Sequence, residues 1–295
     1  MRSAEKAIVK TLVYSDIFEF PLSYDELWRF LISKKPVSKK SFNKTLNNKS
    51  QEFKVKKGWY YLPKRESLIK TRLQRIKESK KKIEYAKRIA SYVSFIPTVC
   101  LIGISGALSM ENSDSQDDID LFVITKANTI FLTRFVLILI LQAFGVRRNR
   151  AAQYAANKVC LNMLIDESAM AFPVARKDLY TAHEIAQMKP LFERNNTYQK
   201  FLGANLWVKE FLPNHSQKNA EVSVVPRSVL RSSALVLSAL EFFAKKLQLW
   251  YMKRHITNET ITNRMLAFHP LDYKKIVFKE YKERLRKYKL SYEKI

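Results

Sequence analysis

Two aspartates, Asp118 and Asp120, stand one apolar residue apart at the head of the run DIDLFVIT. Side chains alternate faces along a strand, so an Asp-x-Asp pair presents both carboxylates on one side. Two such groups repel each other unless a cation lies between them. Mg2+ prefers one or two carboxylates and completes its shell with substrate phosphates. The chemistry this pair supports is therefore the handling of a phosphorylated substrate through a divalent ion. Upstream, Ser105-Gly106-Ala107 closes the apolar run 98–104, and a glycine there lets backbone approach a phosphate. Ten residues, 108–117, separate that turn from Asp118.

The charge pattern singles out the same stretch. The 295 residues carry a formal charge of +26, yet no Lys or Arg occurs between Arg88 and Lys126. That gap holds Glu111, Asp114, Asp117, Asp118 and Asp120. A local acidic pocket in a basic chain suits a cation site with a polyanionic partner; a solvated acidic loop is the plainer alternative. Arg147, Arg148 and Arg150 follow an apolar helix. They suit either a triphosphate or polynucleotide backbone, or the negative end of that helix.

Several classes are excluded. Neither GxGxxG nor GxxxxGK[ST] occurs among the five glycines. Two cysteines, Cys100 and Cys160, make neither a disulfide scaffold nor a cysteine zinc site, and both read as reduced core residues. His183-Glu184 begins an HExxH pattern, but Gln187 ends it, leaving a helix-face His and Glu near an interface. The stretch between Arg134 and Arg147 is shorter than the roughly 18 residues a membrane span needs. The start MRSAEKAIVK has no apolar stretch behind a basic head. A cytoplasmic protein is expected.

Four segments must position the aspartates. Residues 1–65 read as three helices and a hairpin, with Ser23-Tyr24-Asp25-Glu26 as a capping box, Ser38 as a second cap and Lys57-Gly58 at the bend. This is the order of a winged helix-turn-helix, with Lys39, Lys40 and Lys44 on the third helix and Lys54, Lys56 and Lys57 on the wing. Those lysines are placed to meet RNA or DNA; such modules also bind proteins. Residues 66–96 form a basic linker helix whose Lys80-Lys81-Lys82 run reads as a solvated face. Residues 97–170 alternate strands near 98–104, 118–125 and 159–165 with a helix at 129–144, and so give an α+β core with a mixed sheet. Residues 171–295 read as a mostly helical region, with helices at 178–188, 197–211, 226–254 and beyond Pro270. Tyr180 and Trp207 read as core, and His269-Pro270 as a turn.

The segment Ile104-Ser105-Gly106-Ala107 followed by Asp118-Ile119-Asp120 resembles the motif of the nucleotidyltransferase superfamily, the DNA polymerase β-like fold. SGALSMENSDSQDDIDLFVIT, KVCLNMLID, LYTAHEIAQMKPL and ANLWVKEFLPN are similar to uncharacterised bacterial nucleotidyltransferase-domain proteins with an N-terminal winged-helix-like segment. The resemblance implies that Asp118 and Asp120 hold Mg2+ or Mn2+, and that Ser105, Gly106 and Ala107 meet the phosphates of a nucleoside triphosphate. It further implies attack by an acceptor hydroxyl on the α-phosphorus. Ala107 stands where the family often has Ser. The family's third carboxylate lies on a later strand, where this chain offers Asn162, or Asp166 at the strand end. The function implied is transfer of a nucleoside monophosphate to an RNA, protein or small-molecule hydroxyl. The alternative is a winged-helix nucleic-acid-binding regulator, or a toxin–antitoxin component, with a degenerate core.

Overall fold

Ser23 starts a helix because its hydroxyl accepts the Glu26 N–H at 3.3 Å while the Glu26 carboxylate accepts the Ser23 N–H at 2.8 Å. This reciprocal cap opens α2 (Tyr24–Arg29), which follows α1 (Ser3–Asp16) in a computed structural model of the chain. The structure describes residues 3–48, 50–148, 156–215, 223–224, 234–253, 260–268 and 271–292. Ser38 caps α3 (Lys39–Asn47) by accepting from the Ser41 N–H. The hairpin β1 (Lys54–Lys56) and β2 (Trp59–Tyr61) turns through Lys57 and Gly58, both at positive φ. Two positive φ values give the turn a twist that matches the flanking strands. Leu22 and Tyr60 exchange backbone hydrogen bonds and add one rung to the hairpin. The expected order of three helices and a hairpin is present.

The long basic helix α4 (Leu68–Val93) does more than connect. Arg72 is 2% exposed. Its guanidinium lies 2.8 Å from Glu26 Oε1 and 2.6 Å from the Glu111 carbonyl, with its carbon 4.2 Å above the Phe20 ring centre. One helical turn pair further on, Ser79 Oγ accepts the Ser113 N–H. Lys82 Nζ donates to the Asp117 carbonyl at 2.6 Å. Lys80 and Lys81 are solvated as expected, whereas Lys82 is buried. An ammonium loses hydration on burial, and here the end of the acidic loop replaces it.

Among the described residues, seven strands form one mixed sheet. Its central members are β3 (Val99–Ile104), β4 (Ile119–Thr125) and β5 (Val159–Asp166). β6 (Lys189–Glu193) and β7 (Ser223–Val224) extend one side, β8 (Thr260–Ile261) and β9 (Met265–Ala267) the other. The order is β7-β6-β3-β4-β5-β9-β8; β4–β5 and β6–β7 are parallel and the other pairs antiparallel. The expected α+β class with a mixed sheet is present.

The region beyond residue 170, expected to be mostly helical, contributes four of these strands. Its helices are α7 (Leu179–Gln187), α8 (Thr197–Ala204), α9 (Ala234–Met252) and α10 (Leu271–Lys287), with α5 (Gly106–Ser109) and α6 (Ile130–Ala143) preceding them. The helix expected over 197–211 breaks at Asn205. That side chain donates to the Phe201 and Met170 carbonyls and accepts from Trp207 Nε1 and the Phe172 N–H. A short amide that bonds backbone competes with helix continuation.

Both sheet faces are covered. Phe122, Ile124, Met163 and Ile165 pack with α1, α7, α8 and α10. Val99, Ile102, Leu121 and Val123 pack with α4 and α6 on the opposite face. Asp120, Phe122 and Ile124 share strand parity, so the aspartate pair faces the side roofed by α1 and α7. Among the described residues no helix is long and apolar enough to cross a membrane.

Because Arg72 is buried and bonded at both ends, Arg72→Met should destabilise the fold by about 3 kcal/mol, the low end for removing one partner of a buried pair. The urea midpoint, read with the m-value unchanged, measures it.

Candidate metal centre

The first feature that builds the centre is a missing side chain. Gly106 has φ +63°, and a β-carbon placed on it would lie 2.8 Å from Asp120 Oδ2. Just before it, the Ser105 N–H bonds the Asp120 carbonyl at 3.0 Å. The end of β3 is thus laced to the start of β4, and the turn sits directly on the carboxylate. Ser105 is buried and its hydroxyl accepts from Asn162 Nδ2 at 3.2 Å. Ala107 adds no polar side chain; its carbonyl accepts the Asn112 N–H and shapes the loop that follows.

Asp118 immediately precedes β4, and its Oδ2 lies 2.6 Å from Arg148 Nη1. Across the parallel pairing, Asp120 stands opposite Cys160. One ligand atom each from Asp118, Asp120 and Cys160 lie within 4.8 Å of one another. Burial pushes the Cys160 thiol up to about 12, and the charges of Asp120 and Asp118 add to the effect. Cys160 is therefore a neutral thiol near neutral pH. It is half-buried beside the carboxylates rather than a core residue, as Cys100 is.

The acidic loop divides by role. Asp114 and Asp117 hold each other's segment, with the Asp114 N–H on Asp117 Oδ2 and the Gln116 and Asp117 N–H groups on Asp114 Oδ1. Glu111 pairs with Lys189 at 2.8 Å. Of the five acids, the structure brings together only Asp118 and Asp120 in the candidate centre.

Asp166 does not join them. It pairs in register with Thr125, five residues along β4 from Asp120, which is about 17 Å at strand rise. It is fully buried and accepts the Asn128 N–H at 2.8 Å and the Ser168 N–H at 2.7 Å. Asp166 therefore caps a turn at the far end of the sheet. Asn162 is the nearer residue and is engaged with Ser105. Sequence reading missed Cys160 as the third member, because only the inter-strand register places it there.

The six lysines expected to face nucleic acid, Lys39, Lys40, Lys44, Lys54, Lys56 and Lys57, are all exposed. Lys56 pairs with Glu66. Trp207 is buried as expected. Arg150 and His269-Pro270 lie outside the described residues.

A cavity of ≈ 160 Å³ adjoins the centre, with Gly106 and Ala107 in its wall. Tyr14 of α1, Phe18 just after it, Tyr180, His183 and Glu184 of α7, and Tyr273 of α10 are among the residues that line the rest. His183 stacks on Tyr14 with ring centres 4.3 Å apart. Its Nδ1 lies 3.0 Å from Gln187 Nε2, and its Nε2 is buried with no hydrogen-bond partner. Burial drives His183 down to about 3, with His215 adding to it. Burial drives Glu184 up to about 7, reinforced by Asp178 and opposed by Lys274, Arg176 and a hydrogen bond from Tyr180. The HE pair does sit at an interface, between α7 and α1.

No protein-family model, curated protein or solved structure matches the chain.

The two shifts act oppositely on stability. His183 binds its proton more readily unfolded, so stability falls as pH drops from about 6.5 toward 3. Glu184 binds its proton more tightly folded, so stability falls as pH rises from about 4.5 to 7. Glu184→Gln removes only the second effect. Relative to wild type it should gain about 3 kcal/mol between pH 4.5 and 7.5, measured from urea midpoints at both pH values.

Proposed function

We propose that this chain transfers a nucleoside monophosphate from a nucleoside triphosphate to a hydroxyl acceptor, with Mg2+ or Mn2+ held by Asp118 and Asp120. The observation that carries the reading is the Gly106 turn pressed against Asp120, with Asp118 and Arg148 alongside. That arrangement gathers the three things such a transfer needs: a backbone turn free of side chain, two hard oxygen ligands and a guanidinium.

The donor set fits a hard divalent cation. Two carboxylates with room for phosphate oxygens match Mg2+, and the neutral Cys160 thiol is no competitor for it. When bound, the ion would neutralise the triphosphate and the charge that develops on the attacking and leaving oxygens. The chain's own residues do the positioning. Asp118 and Asp120 hold the cation, Gly106 lets the phosphates come close, and Arg148 supplies a planar fork for phosphate oxygens. In the resemblance to the superfamily, Gly106, Asp118 and Asp120 have their counterparts, whereas Ala107 and the third carboxylate depart from it.

Two observations favour a second reading, a winged-helix nucleic-acid-binding regulator with a degenerate core. The third group beside Asp118 and Asp120 is the Cys160 thiol and not a carboxylate, and Arg148 already neutralises Asp118. The exposed lysines of α3 and the hairpin are common to both readings.

Mg2+ with a nonhydrolysable triphosphate should raise the melting temperature by mass action. Asp120→Asn should abolish that shift, together with transfer of labelled nucleotide to cellular RNA, without changing the apo melting temperature by more than a few degrees. A wild type with no Mg2+-dependent shift for any of the four triphosphates leaves the regulator. RNA affinity should fall with salt at a slope of about −0.7 per phosphate contacted. In filter binding, replacing Lys39, Lys40 and Lys44 with Ala should flatten that slope by about two.

A further inference from the structure

The cavity beside Gly106 is lined by Phe18, Phe20, Leu22, Phe30 and Met110 together with polar groups. Its walls carry Tyr14, Tyr180 and Tyr273, and His183 in the same wall has a buried nitrogen without a partner. Cavities that stay empty are lined by apolar groups, and buried polar atoms are as a rule bonded. One side of this cavity is the Gly106-Ala107 turn, so whatever enters it lies next to the proposed phosphate site.

We propose that this cavity takes a single pyrimidine ring, so that the triphosphate used by this site carries cytosine or uracil. The inference rests on the proposed nucleotidyl transfer and specifies its substrate class.

Three observations lead there. The first is size: ≈ 160 Å³ is close to the roughly 150 Å³ that receives one benzene-sized ring. The second is chemistry at His183. The Gln187 amide nitrogen donates to Nδ1, so the ring proton sits on Nε2 as an unmet donor. Cytosine and uracil both carry a carbonyl oxygen at ring position 2, while adenine carries no carbonyl and guanine carries one only at position 6. The third is Glu184. Burial and Asp178 raise it to about 7 while Tyr180 donates to it, so this wall carries a carboxyl that is protonated in part near neutrality. A neutral carboxyl can donate to the unprotonated N3 of cytosine or accept from the N3–H of uracil. The tyrosines supply aromatic surface against which a flat ring packs.

The test uses the full chain with Mg2+, nonhydrolysable analogues of the four triphosphates, and inorganic tripolyphosphate, read by calorimetry. The cytosine and uracil analogues should bind at least tenfold more tightly than the adenine and guanine ones. His183→Phe keeps the ring shape and removes the donor. It should reduce the preference to under threefold and leave tripolyphosphate binding unchanged. Ser15→Leu is the second variant: Ser15 lines the cavity, and its hydroxyl donates to the Leu12 carbonyl within its own helix. It should fill the space and remove the preference equally. A wild type that binds all four alike, or prefers purines, overturns the inference and leaves the transfer standing. Binding of none of the four, nor of tripolyphosphate, overturns both.

Discussion

Between residue 106 and the Asp120 carboxylate there is room for a hydrogen atom and nothing larger. The rest of the candidate centre follows from that constraint. A side chain at 106 would displace the Asp120 carboxylate and strain a backbone already in the left-handed region. With glycine there, the Ser105 N–H reaches the Asp120 carbonyl and fixes where β4 begins. Once β4 begins there, strand alternation sets both aspartates on the face roofed by α1 and α7, and parallel pairing sets Cys160 beside them.

Charge is handled in the same region by division of labour. The acids cluster in sequence, yet most of them organise the loop that connects the turn to Asp118. The basic helix α4 supports that loop from behind. Arg72, Ser79 and Lys82 bond, in order, to backbone of residues 111, 113 and 117. Buried cations bonded to carbonyl oxygens replace lost hydration without drawing on the aspartate pair. The carboxylates of Asp118 and Asp120 are then balanced separately, at one of them by Arg148.

What was legible in the sequence is what local chemistry determines. The capping box at Ser23, the Lys57-Gly58 bend and the continuous apolar strands β3, β4 and β5 each announce themselves in a few adjacent residues. The Asp-x-Asp pair is legible for the same reason, since strand period alone puts both on one face. Register between strands is not local. Cys160 and Asp166 lie on one strand, and only its pairing with β4 decides which of them meets Asp120. The outer strands were illegible because they are two to five residues long, and β6 opens on Lys189-Pro190, which does not read as strand. Lys82 looks like its solvated neighbours until the fold brings the Asp117 carbonyl to it.

The packing of α10 on α1 has a temporal consequence. Tyr281 donates to the Lys10 carbonyl across 271 positions, its ring meets Tyr14 edge-on, and Arg284 reaches Asp16. On a ribosome moving at about 5–20 residues per second, α1 would wait roughly 15–50 s for this cover. Tyr14 and Tyr273 face the same cavity from the two helices. The cavity beside the aspartates therefore gains its α10 wall only once Tyr273 has been made, and a nascent chain carries the turn and both carboxylates well before it has that wall next to them.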